Sequence, residues 1–177
     1  GDSSAQVPPQ VPPQVTNVVA VGLGPGAQHA LALRADGTVV DWGLSDTTNI
    51  PLGVLNIVSV AAGSSHSLAL RSDGKIFAWG RNSSGATTVP ASATNIVAIA
   101  TTWFGNIALR ADGKLLTWGA DPAIPGQATL TNIVEIAGKG GIGSPAGMAL
   151  NRNGNVFATG TPATATNIMA IGGSGLT

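Results

Sequence analysis

The chain contains no cysteine, and only 9% of its 177 residues are charged. Without cysteine there are no disulfides, no thiolate nucleophile and no thiolate metal site, while the absence says little about compartment. The charge content stands far below the roughly one quarter usual in a soluble domain, and eight acids offset eight bases. No cluster of lysine or arginine interrupts this thin charge, so nothing offers an electrostatic footprint to nucleic acid or to an anionic membrane surface. Long apolar runs are missing too: none approaches the roughly 18 residues of a spanning helix, which excludes insertion in a bilayer by that route.

What the chain has instead is self-similarity. Residues 56–80 (NIVSVAAGSSHSLALRSDGKIFAWG) match residues 17–43 and 95–119, match 132–160 more loosely, and begin again at Asn167. The repeated asparagine falls at 17, 56, 95, 132 and 167, giving steps of 39, 39, 37 and 35 residues. Periods of this size signal solenoids, propellers or arrays of small supersecondary units.

Each unit reads as strands. In the template, residues 57–61, 67–70 and 75–79 are short apolar runs, and Ser72-Asp73-Gly74 separates the last two. The separator recurs as Ala35-Asp36-Gly37, Ala111-Asp112-Gly113 and Arg152-Asn153-Gly154. Asp-Gly or Asn-Gly between apolar runs predicts a tight hairpin, because these residues tolerate positive φ. A weaker fourth strand is expected at residues 86–89, ending at Pro90, on an outer edge where a missing amide does no harm. Ile76, Phe77, Ala78 and Trp79 run without polar alternation, so both sheet faces call for cover, as when identical blades stack face to face. The fold class is all-β, an array of about four antiparallel meander blades.

The combination His66-Ser67-Leu68-Ala69-Leu70, Asp73-Gly74-Lys75 and Ala78-Trp79-Gly80 resembles the repeat of the regulator of chromosome condensation family. Its compact bacterial form, which includes the propeller-type β-lactamase inhibitor proteins, also carries an outer segment similar to Thr88-Val89-Pro90-Ala91. The resemblance covers residues 16–177 and implies a β-propeller of four-stranded blades. The family's usual ring has more blades than this chain supplies, so the array is expected to be incomplete. Some members are exchange factors for small nuclear GTPases, a role of full rings that no residue here carries over.

Residues 1–15 differ in kind: Val-Pro-Pro-Gln repeats every four residues, which favours polyproline II and reads as a semi-rigid linker ahead of a propeller-repeat domain at 16–177. A proline-rich ligand for another domain is the alternative. An opening without methionine or signal sequence fits a processed secreted protein or an excised segment equally. Repeats one and four carry longer first loops, 22–28 and 138–147, and repeat four is too short at its end to hold an outer strand.

The chemistry on offer is sparse. His29 and His66 share one repeat position, with no second ligand at fixed spacing, and are expected to tuck against the first loop or cap backbone groups. Ser65 and Ser67 flank His66 on a strand, where neighbours point to opposite faces, so they form no triad with it. The runs Gly138-Lys139-Gly140-Gly141 and Gly22-Leu23-Gly24-Pro25-Gly26 lack the spacing and the following helix of a phosphate or dinucleotide loop. Asp36, Asp73 and Asp112 should accept backbone bonds in their turns, with Arg34, Arg71 and Arg110 covering apolar surface. Trp42, Trp79 and Trp118 share a packing position, filled by Thr159 in repeat four. Trp103 and Phe104, in the first loop of repeat three, are instead candidates for contact with a partner, as are Ile142 in the long fourth loop and Ile168 and Ile171 in the partial fifth unit. No catalytic group, metal or cofactor is expected. The function expected is that of a secreted, non-enzymatic protein-interaction module that self-assembles, as a ring or filament, through open blade faces, with a closed four-bladed monomer, residues 167–171 supplementing the first unit, as the alternative to self-assembly; the alternative function is an inhibitor or binder of an extracellular enzyme.

Overall fold

Every Asp-Gly or Asn-Gly separator closes a hairpin. Gly37, Gly74, Gly113 and Gly154 sit at φ of 77°, 83°, 75° and 80°, left-handed values that a Cβ disfavours. The aspartates accept as expected, from Thr38 N to Asp36 Oδ1 (3.0 Å), Lys75 N to Asp73 Oδ1 (3.1 Å) and Lys114 N to Asp112 Oδ1 (3.2 Å). The structure, a computed structural model, describes residues 10–24, 29–43, 48–121, 124, 126–138 and 147–159.

Those residues form four antiparallel sheets of three strands, each taken in chain order. Blade 1 comprises β1 (Val18–Leu23), β2 (His29–Arg34) and β3 (Val39–Gly43); blade 2 comprises β4 (Ile57–Ala62), β5 (His66–Arg71) and β6 (Ile76–Gly80). Blade 3 holds β7 (Ile96–Thr101), β8 (Gly105–Arg110) and β9 (Leu115–Gly119), and blade 4 holds β10 (Ile133–Gly138), β11 (Gly147–Asn151) and β12 (Val156–Ala158). The architecture is an all-β, propeller-like array that falls short of a ring.

The fourth strand expected at 86–89 is absent, and the sheets stop at three. Thr88 N donates to Gly85 O (3.2 Å) and Val89 N to Thr87 O (3.2 Å), while Thr87 N is held by Asn82 Oδ1 (3.0 Å). Amides engaged in local turns cannot also pair across a ladder, so the segment folds on itself.

The first strand of every blade carries a register shift at its second residue, between Val18 and Ala20, Ile57 and Ser59, Ile96 and Ala98, and Ile133 and Glu135. A bulge of this kind sets aside one residue. It brings Ile57 and Val60, three apart, to one face, where both join Leu31, Leu33 and Trp79 in the apolar contact between blades 1 and 2. The same geometry sets Ile96 and Ile99 against Leu68, Leu70 and Ile76 of blade 2, and Ile133 and Ile136 against Ile107, Leu109 and Leu115 of blade 3. The core is therefore three successive blade contacts, not one central pool.

A turn of one blade also holds the start of the next: Ile57 N donates to Gly37 O (3.0 Å) and Ile133 N to Gly113 O (3.1 Å). Asn17, Asn56, Asn95 and Asn132, at φ of 53° to 58°, turn the chain into each first strand, a conformation asparagine tolerates better than most residues.

Residues 11–17 of the proline-rich segment follow the connectors at 50–56 and 89–95. Val15 N donates to Pro12 O (3.0 Å) as Ala93 N does to Pro90 O (2.9 Å), and Thr16 N to Gln14 O (3.0 Å) as Thr94 N does to Ser92 O (2.9 Å). Gln14 O also accepts from the Arg34 guanidinium. The sequence shows this kinship as Val11-Pro12, Ile50-Pro51 and Val89-Pro90, each five or six residues before the repeated asparagine. The rest of that segment, the long fourth loop with Ile142, and the fifth unit with Ile168 and Ile171 lie outside the described residues.

Candidate interaction site

Two blade contacts are threaded by polar side chains. His29 opens β2 and His66 opens β5, and each imidazole reaches the following blade: His29 Nε2 meets Ser67 Oγ (2.9 Å) and His66 Nε2 meets Asn106 Oδ1 (2.8 Å). The rings do lie against their own first loops, since a Cβ on Gly63 would overlap the His66 ring. Stacking adds a side-chain partner at the outer nitrogen of each ring.

Tryptophan reaches the other way. Trp79 Nε1 donates back to Asp41 Oδ2 of blade 1 (2.6 Å), and Trp118 Nε1 donates back to Ala86 O in the connector of blade 2 (2.8 Å). Ser67 Oγ also donates to Asp41 Oδ2 (3.1 Å); its single proton is then committed, and His29 must donate to it. The chain of donors runs from His29 to Ser67 to Asp41. These are the residue types of a nucleophilic triad in an order that cannot work, since the serine gives its proton to the carboxylate and is wholly buried. Burial pushes the Asp41 carboxyl up to about 6, against the lowering effect of the Trp79 and Ser67 bonds, and its Oδ1 is buried with no hydrogen-bond partner among the described residues. Burial likewise lowers the His66 pKa, which favours its neutral form.

Between blades 3 and 4 smaller groups take over. Thr159 stands where the tryptophans do, its Oγ1 accepting from Gly147 N (3.2 Å), and a cavity of about 10 Å³ remains beside Thr117, Asp121 and Ile124, room for about one water. Among the described residues no group of three acidic, histidine or cysteine side chains could hold a metal ion.

The side of blade 1 that faces away from blade 2 is different. Val18, Val21 and Leu23 are 37%, 56% and 66% exposed, whereas their equivalents Ile57, Val60 and Ala62 are 4%, 7% and 4% exposed. Their counterparts in blades 3 and 4, Ile96, Ile99, Ile133 and Ile136, are also buried. Val19 is not part of this contrast: it and its equivalents Val58, Val97 and Val134 are exposed in every blade, on the bulge side. Ala30, Ala32 and Val40 of the same blade are buried, so the uncovered strip is β1 itself. The sequence hinted at this strip, since Leu23 stands where later units have Ala62, Thr101 and Gly138, but pattern alone does not say which copy lacks a neighbour.

The aromatic pair of repeat three lies elsewhere, on the loop between β7 and β8. Phe104 is 48% exposed and Trp103 half-buried, their rings 6.0 Å apart and tilted by 53°. Their backbone is pinned on both sides: Ser64 Oγ donates to Trp103 O (2.7 Å), Phe104 N to Asp121 Oδ2 (2.7 Å) and Ala120 N to Phe104 O (3.0 Å). The fold does not bring this pair to β1.

With this geometry in hand, known proteins place the fold. The sequence model of the regulator of chromosome condensation (RCC1) repeat matches residues 57–86, which span blade 2. Human WBSCR16 has a TM-score of 0.60 at 23% identity, covering 80% of this chain and 47% of its own. Prp20p from Saccharomyces cerevisiae gives 0.59 at 18% identity, over 85% and 49% of the two chains. The ectodomain of the Physcomitrella patens receptor kinase CR4 gives 0.63 at 19%, over 86% and 44%. The chain thus spans about half the length of the solved structures it resembles. No curated protein matches the sequence. The likeness is one of fold, a propeller array built of RCC1-type repeats.

Proposed function

We propose that this array of RCC1-type repeats is a non-catalytic protein-interaction module, and that the strip along β1 is where it joins another copy of itself. One observation carries the reading: three first strands of the same design are buried by a preceding blade, and the fourth is not. Apolar surface of this kind is worth about 1.5–3 kcal/mol for each large side chain removed from water, and an exposed apolar strip drives association. Its natural complement is the forward face of a blade, the surface that covers such a strand in each contact among the described residues. On blade 4, Met148 and Val156 are half-buried beside the buried Ala137 and Leu150, a cluster that includes no residue of a following blade among the described residues. Copies joined head to tail make a contact of unlike surfaces, which closes into a ring or runs on as a filament according to its rotation. The sparse charge opposes neither.

Protein partners also fit the relatives, since Prp20p has been studied for binding to Gsp1p and histones and seen bound to Kap60. A second reading, binding of an unlike protein such as an extracellular enzyme, rests on the Trp103–Phe104 pair, an aromatic patch on a pinned backbone. Sedimentation equilibrium on the purified chain decides between them. Self-association should appear at micromolar concentration, vanish with Val21→Lys and persist with Val19→Lys. A species of 17.4 kDa at every concentration overturns the self-assembly reading and leaves the aromatic pair as the contact.

A further inference from the structure

The self-contact has a polar component that exposure alone does not reveal. In the middle hairpins, Ala30 lies opposite Trp42, Ser67 opposite Trp79 and Asn106 opposite Trp118, so the three indoles occupy one register position. Trp79 and Trp118 each use it to donate a hydrogen bond to the preceding blade, to Asp41 Oδ2 and Ala86 O. The two acceptors differ in chemistry, a carboxylate and a peptide carbonyl, yet both lie on the third strand or connector of the blade before. Trp42 is half-buried, as Trp118 is, but its N–H meets no acceptor among the described residues.

We infer that Trp42 is the register-setting residue of the contact between copies: its indole N–H donates to a carbonyl or carboxylate on the third strand or connector of the incoming blade. Apolar strips such as Val18, Val21 and Leu23 are tolerant of sliding, because dispersion and desolvation are nearly indifferent to a shift along the strand. One directional bond at the level of Leu23, across β2 from the strip, is not. It admits a partner only where an acceptor arrives opposite Trp42, and it leaves a desolvated donor in any slipped pairing. The partner it selects is a second copy of this chain that lies along β1 and brings an acceptor opposite Trp42.

The inference rests on the self-association proposed above, and its test separates the two. Trp42→Phe removes the donor and leaves a smaller aromatic ring in its place, and Trp42→Leu, which lacks the donor and the ring alike, measures how much of the effect is ring area. Sedimentation equilibrium should show a dissociation constant about tenfold weaker, the scale of one hydrogen bond, while Trp103→Phe leaves it unchanged. Association of Trp42→Phe at the wild-type strength, with Val21→Lys still monomeric, overturns the role of Trp42 and leaves the contact standing. A monomeric wild type overturns both. Should Trp42→Phe fail to fold, the indole N–H resonance of Trp42 in ¹⁵N-tryptophan-labelled wild type gives the answer: it should shift downfield between dilute and concentrated samples, and a resonance that stays in place counts against the inference.

Discussion

The contact between blades 1 and 2 and the strip along β1 are made from nearly the same residues. Ile57, Val60, Ala62 and Trp79 line one; Val18, Val21, Leu23 and Trp42 line the other. They differ in what stands opposite. Leu31, Leu33 and the polar thread of His29 and Asp41 cover the first set, and no described cluster covers the second. Burial in a repeat array is thus conferred by the neighbour, and equivalent side chains become core or surface according to their place in the row.

The sharpest way to break this comparison is at tryptophan. Trp79→Ala empties a filled contact and should lower stability by about 3–5 kcal/mol, the scale of a large core aromatic. Trp42→Ala, measured by chemical denaturation in dilute solution, should cost well under half as much. Equal losses would show that β1 is as firmly covered as β4.

The next effect is at serine. Ser67→Ala leaves the His29 donor without its acceptor and deprives Asp41 of a donor, and should cost about 1–3 kcal/mol. A hydroxyl placed on the exposed strip instead, Val21→Ser, should alter the denaturation midpoint little. A costly Val21→Ser would mean that β1 is already covered.

The smallest effect is one of pH. Asp41 is raised from 3.8 to about 6 by burial, so the folded state holds its proton more tightly than the unfolded state does. Its contribution to stability is fully present below about 4 and is lost as pH rises through about 6. His66, whose pKa burial lowers from 6.5, acts in the opposite sense, losing stability as pH falls through its unfolded value. Subtracting the thermal midpoints of Asp41→Asn from those of wild type isolates the aspartate, and wild type should gain on the variant from pH 7 to pH 4. A flat difference would show that the carboxylate is as well solvated as the exposed Asp73.

The repeats, the hairpins and the stacking were legible in the sequence because each is local or periodic. Asp73-Gly74 declares its turn by backbone preference alone, and Trp79 beside Gly80 marks a large side chain in a row of copies. The bulge after Ile57 was not legible, since a strand with one residue set aside still reads as a β-branched apolar run. The failure at 86–89 has a related cause: Asn82 Oδ1 captures Thr87 N, a side-chain bond that strand propensity does not register. The pairing of His29 with Ser67 spans 38 positions and exists only once blades stack, so no reading of either residue alone could find it. The strip itself was half legible. An incomplete row must have ends, but the residues named for them, Ile168 and Ile171, fall outside the described residues, whereas Val18 and Val21 repeat the pattern of every other first strand and only Leu23 departs from it.

Because the apolar clusters join only adjacent blades, the array behaves as a one-dimensional chain in which each blade is stabilised by its nearest neighbours. Among the described residues an inner blade such as blade 2 is held from both sides, and blade 1 by an apolar cluster on one. Disorder then enters as it enters a zipper, from the free end inward. Amide protons of β1 and β2 exchange through openings that never cross the first contact, while those of β5 wait for two contacts to part. The terminal blade sets how readily the row frays, and the interior sets how far the fraying runs.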